Sequence, residues 1–259
     1  MEPTTKVGAV DGRTRAFRIL AGFIGVATVA LIVPFTVTSF TDDADAVHRM
    51  HNTSALVMFG GLLDLLLLVC ALRPDAVAPF RVVGAASIAG LIAGILSGDL
   101  VGGGSFFGIL VFVGLWALHP RRGDIAGPGG VRIAPAVLAG VGLIPGVAWA
   151  LTQSRLQRNG VPLDPHAAAH HHSSMASVGV TIPIGGLAAS LDGAGRRLAA
   201  WFVGVWAGVT GLSSVVLQDH VGAFDVGWSW LLVAAGVVYV VLSEASDRTP
   251  AGAASRTPA

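Results

Sequence analysis

The chain has 259 residues, of which 53% are hydrophobic and only 12% charged, with 35 glycines and a formal net charge of +1; its mean hydropathy is +0.73. A soluble core of this length cannot hide so much apolar surface, so the composition predicts an all-α integral membrane protein. The single cysteine, Cys70, lies in an apolar run, which excludes a disulfide framework and any CxxC site.

Residues 1–16 are polar and rich in small side chains and read as a disordered tail, as do residues 244–259. Between them lie eight apolar runs, near 17–40, 52–72, 80–98, 104–119, 134–153, 170–191, 198–217 and 226–243. Each is long enough, or nearly so, to cross about 30 Å of hydrocarbon at about 20 residues per span. The first run follows basic residues and precedes Ala44-Asp45-Ala46, as in a secretory signal, but it is longer than a signal core.

The second run is interrupted by Asp64 within Leu62 to Leu68. A charge there is costly, so it is expected to face the bundle, as a relay point or as a structural contact. Gly90, Gly94 and Gly98 in the third run, and Gly104 and Gly108 in the fourth, are spaced for close helix packing. Trp116, Trp228 and Trp230 fall at run ends and read as interfacial anchors.

The connections alternate in charge. Lys6, Arg13, Arg15, Arg18, Arg73, Arg81, Arg121, Arg122, Arg132, Arg196, Arg197, Arg248 and Arg256 fall on one side, and only Arg49, Arg155 and Arg158 on the other. By the positive-inside rule both termini are cytoplasmic, in a multi-pass protein of the cell membrane.

A shift of 120 residues superposes His51 on His171, Ser54 on Ser174, and Asp99-Leu-Val-Gly102 on Asp219-His-Val-Gly222. The expected organisation is therefore a first four-helix unit at 17–119, a cytoplasmic linker at 120–133 and a second unit at 134–243 in the same orientation.

Seven of the eight histidines, His48, His51, His166, His170, His171, His172 and His220, fall in the outward connections; only His119 lies on the inner side. His48 and His51 are three apart, and His166 and His170 four apart, spacings that put rings on one face of a helical turn. Neutral imidazole is a common ligand for zinc, copper, iron and haem. The first ligand candidates are His51, His171, His170 and His166. His48, His220, Asp99 and Asp219 follow, as ligands or as partners that fix a histidine tautomer. Met175, four residues beyond His171, reads as packing before it reads as a soft ligand.

His166-xxx-His170-His171 resembles one histidine box of the membrane fatty-acid desaturases and hydroxylases, which hold two irons. The full set of boxes is missing, and these histidines face outward where that family's face the cytoplasm. The duplicated bundle with outer histidines resembles haem A synthase in outline, but the first half lacks a histidine in its fourth span. The chain is assigned to neither family.

A nucleotide-binding glycine loop, a serine nucleophile elbow and a zinc-protease motif are all missing from the sequence. The expected function is an outward-facing His/Asp site holding a transition metal or haem in a redox or oxygen-handling membrane enzyme, or in a hydrolase if the ion is zinc. The alternative is a small ion- or proton-coupled transporter or channel using Asp64, Asp99 and Asp219; a third possibility is an assembly partner in a larger membrane complex. The lipid bilayer and a small-molecule or ion substrate are the expected partners, and nucleic acid is not.

Overall fold

The computed structural model describes residues 12–42, 48–101, 105–127, 129–160 and 163–248. Of the tails expected at 1–16 and 244–259, residues 1–11 and 249–259 lie outside them, as do the Ala44-Asp45-Ala46 pattern and Gly102 to Gly104; residues 12–16 and 244–248 are not disordered but continue the helices at either end. The described residues are helical throughout, apart from connections and one isolated bridge between Val131 and Leu191.

In chain order the elements are α1 (Gly12–Thr41), α2 (Arg49–Ala55), a π-helical segment (Leu56–Leu63), α3 (Asp64–Leu72), α4 (Val77–Ser97), α5 (Ser105–Leu118), the short α6 (Arg122–Ile125), α7 (Ile133–Gly160), the short α8 (Pro165–Ala168), α9 (His171–Ala189), α10 (Arg196–Val216) and α11 (Val226–Arg248). Five of these, α1, α4, α7, α10 and α11, are long and apolar enough to cross a membrane. The other expected spans fall on the α2–π–α3 run, on the 14-residue α5 and on the 19-residue α9. They miss that standard for physical reasons: a π segment divides the first, α5 is short, and α9 opens with the polar run His171 to Ser174.

The exposed faces are aliphatic and aromatic, with Ile19, Phe23, Leu31 and Phe35 on α1, Val137 and Ile144 on α7, and Leu231, Val237 and Val241 on α11 all turned outward. Only a lipid environment accepts such a belt without penalty. α4 and α9 form the centre and pack against each other. The helices around them approach closely where side chains are missing: a Cβ on Gly146 of α7 would strike the Gly179 carbonyl of α9, and one on Gly204 of α10 would strike Val240 and Gly236 of α11. Gly98 does something else. It takes φ +65°, ends α4, and donates its N–H to the Ile95 carbonyl at 3.1 Å.

At the arginine-bearing end, polar groups close the bundle. Arg81 is 9% exposed and donates to the carbonyls of Ile125 at 3.0 Å, Asp192 at 2.7 Å, Asp124 at 2.6 Å and Gly127 at 3.4 Å. One guanidinium thus gathers carbonyls from two connections. Arg132 pairs with Asp192 at 2.8 Å, Arg197 with Glu244 at 2.6 Å, and Arg196 with Asp247. His119, at this same end, is a packed wedge, with its ring centroid 4.8 Å from those of both Phe17 and Phe80. Arg81→Met strips several buried carbonyls of a charged donor at once. It is expected to cost about 2–4 kcal/mol, read as a lowered Tm in detergent with the histidine end unchanged.

Candidate histidine site

At the opposite end, three short pieces of chain bring imidazoles together. His48 and His51 stand three residues apart at the head of α2, one face of one turn. Asp164 caps α8, accepting from the His166 N–H at 2.9 Å, and Pro165 in the first turn presets the backbone, which fixes where His166 sits. His170 adopts φ 62°, the one positive φ found at a non-glycine residue among the described residues, and this reversal starts α9 at His171.

The result is a five-ring cluster. The His51 and His171 centroids are 4.6 Å apart with their planes 20° from parallel. His48 lies 4.6 Å from His171 and 5.6 Å from His166. His166 lies 5.3 Å from His51 and 6.0 Å from His171. His172 closes the group, 6.3 Å from His51 and 6.1 Å from His166. His51 and His172 are 3% and 2% exposed. Both ring nitrogens of His51 and Nε2 of His166 are buried without a hydrogen-bond partner, although each of these rings always carries at least one N–H or lone pair seeking one.

Behind the cluster stands a ring of partners. His172 is held from both sides, with Nδ1 2.9 Å from Gln153 Oε1 and Nε2 3.0 Å from Asp164 Oδ2. Asp164 also lies 3.4 Å from His166 Nδ1 through its other oxygen. Its carboxyl is held below the usual aspartate range by the hydrogen bond from His172 in the first place, which outweighs the opposing effect of burial, and then by the backbone N–H of His166. Gln157, one turn beyond Gln153 on α7, accepts from Ser173 N at 3.2 Å and donates to the Ala167 carbonyl at 2.7 Å, tying α7, α8 and α9 together.

Electrostatics set the state of the central ring. Burial pushes His51 far below the usual histidine range, and the neighbouring His171, His166, His172 and His48 push it further the same way. A neutral imidazole keeps a lone pair for a ligand.

Of the expected ligands, His51, His171, His166 and His48 meet in this cluster. His170 does not: its ring turns to Asp99, with Nδ1 2.8 Å from Oδ2, and is half exposed. Asp99 also accepts from Ser173 Oγ at 2.8 Å, so it braces the start of α9. Asp219 and His220 sit in the turn after α10. Asp219 makes no ion pair with a histidine, and the His220 ring touches none of the five, among the described residues. Asp64 is 3% exposed and thirteen residues down the helix from His51, close to 20 Å away at about 1.5 Å per residue. His172, Asp164, Gln153 and Gln157 were not among the candidates drawn from the sequence. The signal for the glutamines was their four-residue spacing at the end of an apolar helix, and for Asp164 the Asp-Pro cap.

No three His, Cys, Asp or Glu side chains among the described residues are arranged so as to hold a metal ion. The rings are gathered, but they stack and meet edge-on instead of aiming their nitrogens at one point.

Gly222 limits how His51 can move. It has φ +88°, and a Cβ there would lie 2.9 Å from His51 Nε2 and 3.4 Å from Met175 Cγ. Gly222→Ala therefore combines a strained backbone, about 1–3 kcal/mol, with a collision at the central ring. It is expected to lower the Tm and displace His51, seen as a shifted imidazole resonance.

No known protein family, no characterised protein and no solved structure matches this chain. Its class rests on its own residues: an α-helical protein with several helices fit to span a membrane.

Proposed function

We propose that His48, His51, His166 and His171 form a binding site for a transition-metal ion at the extracytoplasmic rim of a polytopic membrane protein. The observation that carries this reading is the spacing of the rings. A metal–nitrogen bond of about 2.0–2.1 Å puts each ring centroid roughly 3.2 Å from the ion, so ligand pairs separated by 90° to 180° have centroids about 4.5–6.4 Å apart. The separations of 4.6, 5.3, 5.6 and 6.0 Å fall in that window. Closing the site requires side-chain rotation that turns nitrogens toward a common centre, and the partnerless nitrogens of His51 and His166 gain a partner by doing so. The pair Asp164 and His172 supports the site as a carboxylate-braced outer layer.

A bare ion of copper, zinc or iron fits this cluster better than haem, because His51 and His171 stack at 4.6 Å and leave no space for a porphyrin between them. Copper or iron there would give a redox or oxygen-handling enzyme, and zinc a hydrolytic one.

The topology belongs to the same reading: eight spans as two four-helix units, termini in the cytoplasm, histidines outside. Arginines gathered at one end and imidazoles at the other favour it. So does the stacking of His51 on His171, the two histidines that the 120-residue shift superposes, which suits a two-fold axis passing between them.

The experiment is a titration of the purified full-length chain in detergent with Cu(II), Zn(II) and Fe(II), with metal content measured after dialysis. One ion per chain supports the reading. Sub-stoichiometric binding of all three, or a haem absorption band from the purified protein, overturns it.

A further inference from the structure

Asp64 lies outside the histidine site. It begins α3 directly below the π segment, is 3% exposed, and its Oδ2 has no hydrogen-bond partner. A π turn inside a helix rearranges backbone hydrogen bonding and recurs at functional positions. The carboxyl's level in the bundle is fixed by α1, where a Cβ on Gly25 would lie 3.0 Å from the Asp64 carbonyl oxygen.

Among the described residues, none of the elements packed around it offers a counter-charge at that level. On α1, Arg13 donates to the His119 carbonyl and Arg18 to the Ala71 carbonyl at 2.9 Å, toward the inner end, where Arg15 is exposed. Arg81 of α4 is spent on four carbonyls. Arg196 and Arg197 of α10 pair with Asp247 and Glu244. Arg49, at the head of α2, donates to the Ser39 carbonyl at 2.8 Å, beside His51 at the outer mouth. The remaining titratable group of α3 is the buried thiol of Cys70. A carboxyl so placed is stable only with a proton, a cation or water upon it. A single carboxyl without further oxygen ligands is a poor cage for a metal cation, which takes about six or more. A proton needs one.

Buried polar atoms also stand between the histidine end and the level of Asp64. α10 runs antiparallel to α2 and the π segment, and Ser214 Oγ meets Met50 Sδ at 4.0 Å near the outer mouth. One and two turns inward from Ser214, at four-residue steps on the same side of α10, stand Thr210 and Trp206, both 1% exposed. Thr210 Oγ1 and Trp206 Nε1 lack partners, and so does Ser54 Oγ, one turn below His51. Buried polar atoms without a protein partner are where ordered water binds.

We propose that Asp64 is a membrane-embedded proton-binding carboxyl, loaded from the histidine-bearing face along Ser54, Thr210 and Trp206. This does not depend on metal binding at the cluster above.

The test uses full-length protein reconstituted in one orientation, sorted by an appended C-terminal tag, and dicyclohexylcarbodiimide, an apolar reagent that adds across the O–H of a protonated carboxyl. Peptide mapping of the wild-type chain is expected to place the label on Asp64. Labelling should fall about tenfold for each unit by which pH on the histidine side exceeds the group's midpoint, with no response to pH on the other side. Asp64→Asn should abolish it, and Thr210→Val or Trp206→Phe should slow its response to a pH jump severalfold. An unlabelled Asp64 peptide, labelling governed by pH on the arginine side, or an unchanged response in both route variants overturns the proposal. The first two outcomes are read on the wild-type chain, so they hold even where a variant fails to fold.

Discussion

Replacing His51 and His171 together by alanine is expected to lower affinity for Zn(II) or Cu(II) by at least about a hundredfold, since loss of outer partners alone costs 10–100-fold. His51 is the ring to which four others approach, and His171 stacks on it. The same change should leave the metal-free protein no less stable. Both nitrogens of His51 are buried without partners, so removing the ring also removes a desolvation penalty, about 1–3 kcal/mol, that offsets the cavity left behind. Loss of affinity without loss of Tm is the signature of a site kept for function against stability. Asp164→Asn should show the graded version, a 10–100-fold loss, because it loosens the hold on His172 and on the ligand His166 while removing no ligand. Isothermal titration on the three proteins, beside thermal melts without metal, reads both quantities.

Acidification is the second large effect. His51 is neutral in the fold because burial and four neighbouring imidazoles oppose its charging. In the unfolded chain it titrates near 6.5. Above that pH both states are neutral and its contribution to stability is complete. Below it the unfolded chain takes a proton that the fold refuses, so stability falls by about 1.4 kcal/mol per pH unit. Between pH 6.5 and pH 5 the metal-free protein should lose about 2 kcal/mol. His51→Ala should flatten this slope. Asp164 acts in a lower window: its depressed carboxyl contributes above the usual aspartate range and is lost only as pH falls beneath it. Melting curves at pH 7.5, 6.5 and 5.0 read the His51 window alone, and an unchanged Tm across that range contradicts the neutral, buried His51.

Much of this was legible in the sequence, and what was not has identifiable causes. Hydropathy marks where apolar helices run, because the lipid-facing belt leaves its composition in α1, α7 and α11. It does not register the π segment Leu56–Leu63, whose residues are as apolar as any helix of this chain. The i, i+3 spacing of His48 and His51 put both rings on one face, and both face the cluster. The triplet His170-His171-His172 was not resolvable by spacing. A positive φ at His170 sends three consecutive rings in three directions, one to Asp99, one to His51 and one to Gln153. Asp99 and Asp219 match in the sequence, yet only Asp99 braces a histidine, since the position matching His170 is Met50, which packs on Ser214 and has no proton to share.

The central claim is that imidazoles from distant parts of the chain can close on one ion. X-ray absorption at the metal edge of the Zn(II)- or Cu(II)-loaded full-length protein tests it most directly. The predicted result is three or four nitrogen neighbours at about 2.0–2.1 Å, with the outer-shell scattering of imidazole rings, and its loss in the His51→Ala, His171→Ala double variant. A first shell of oxygen alone, or an imidazole count unchanged in the double variant, would contradict it.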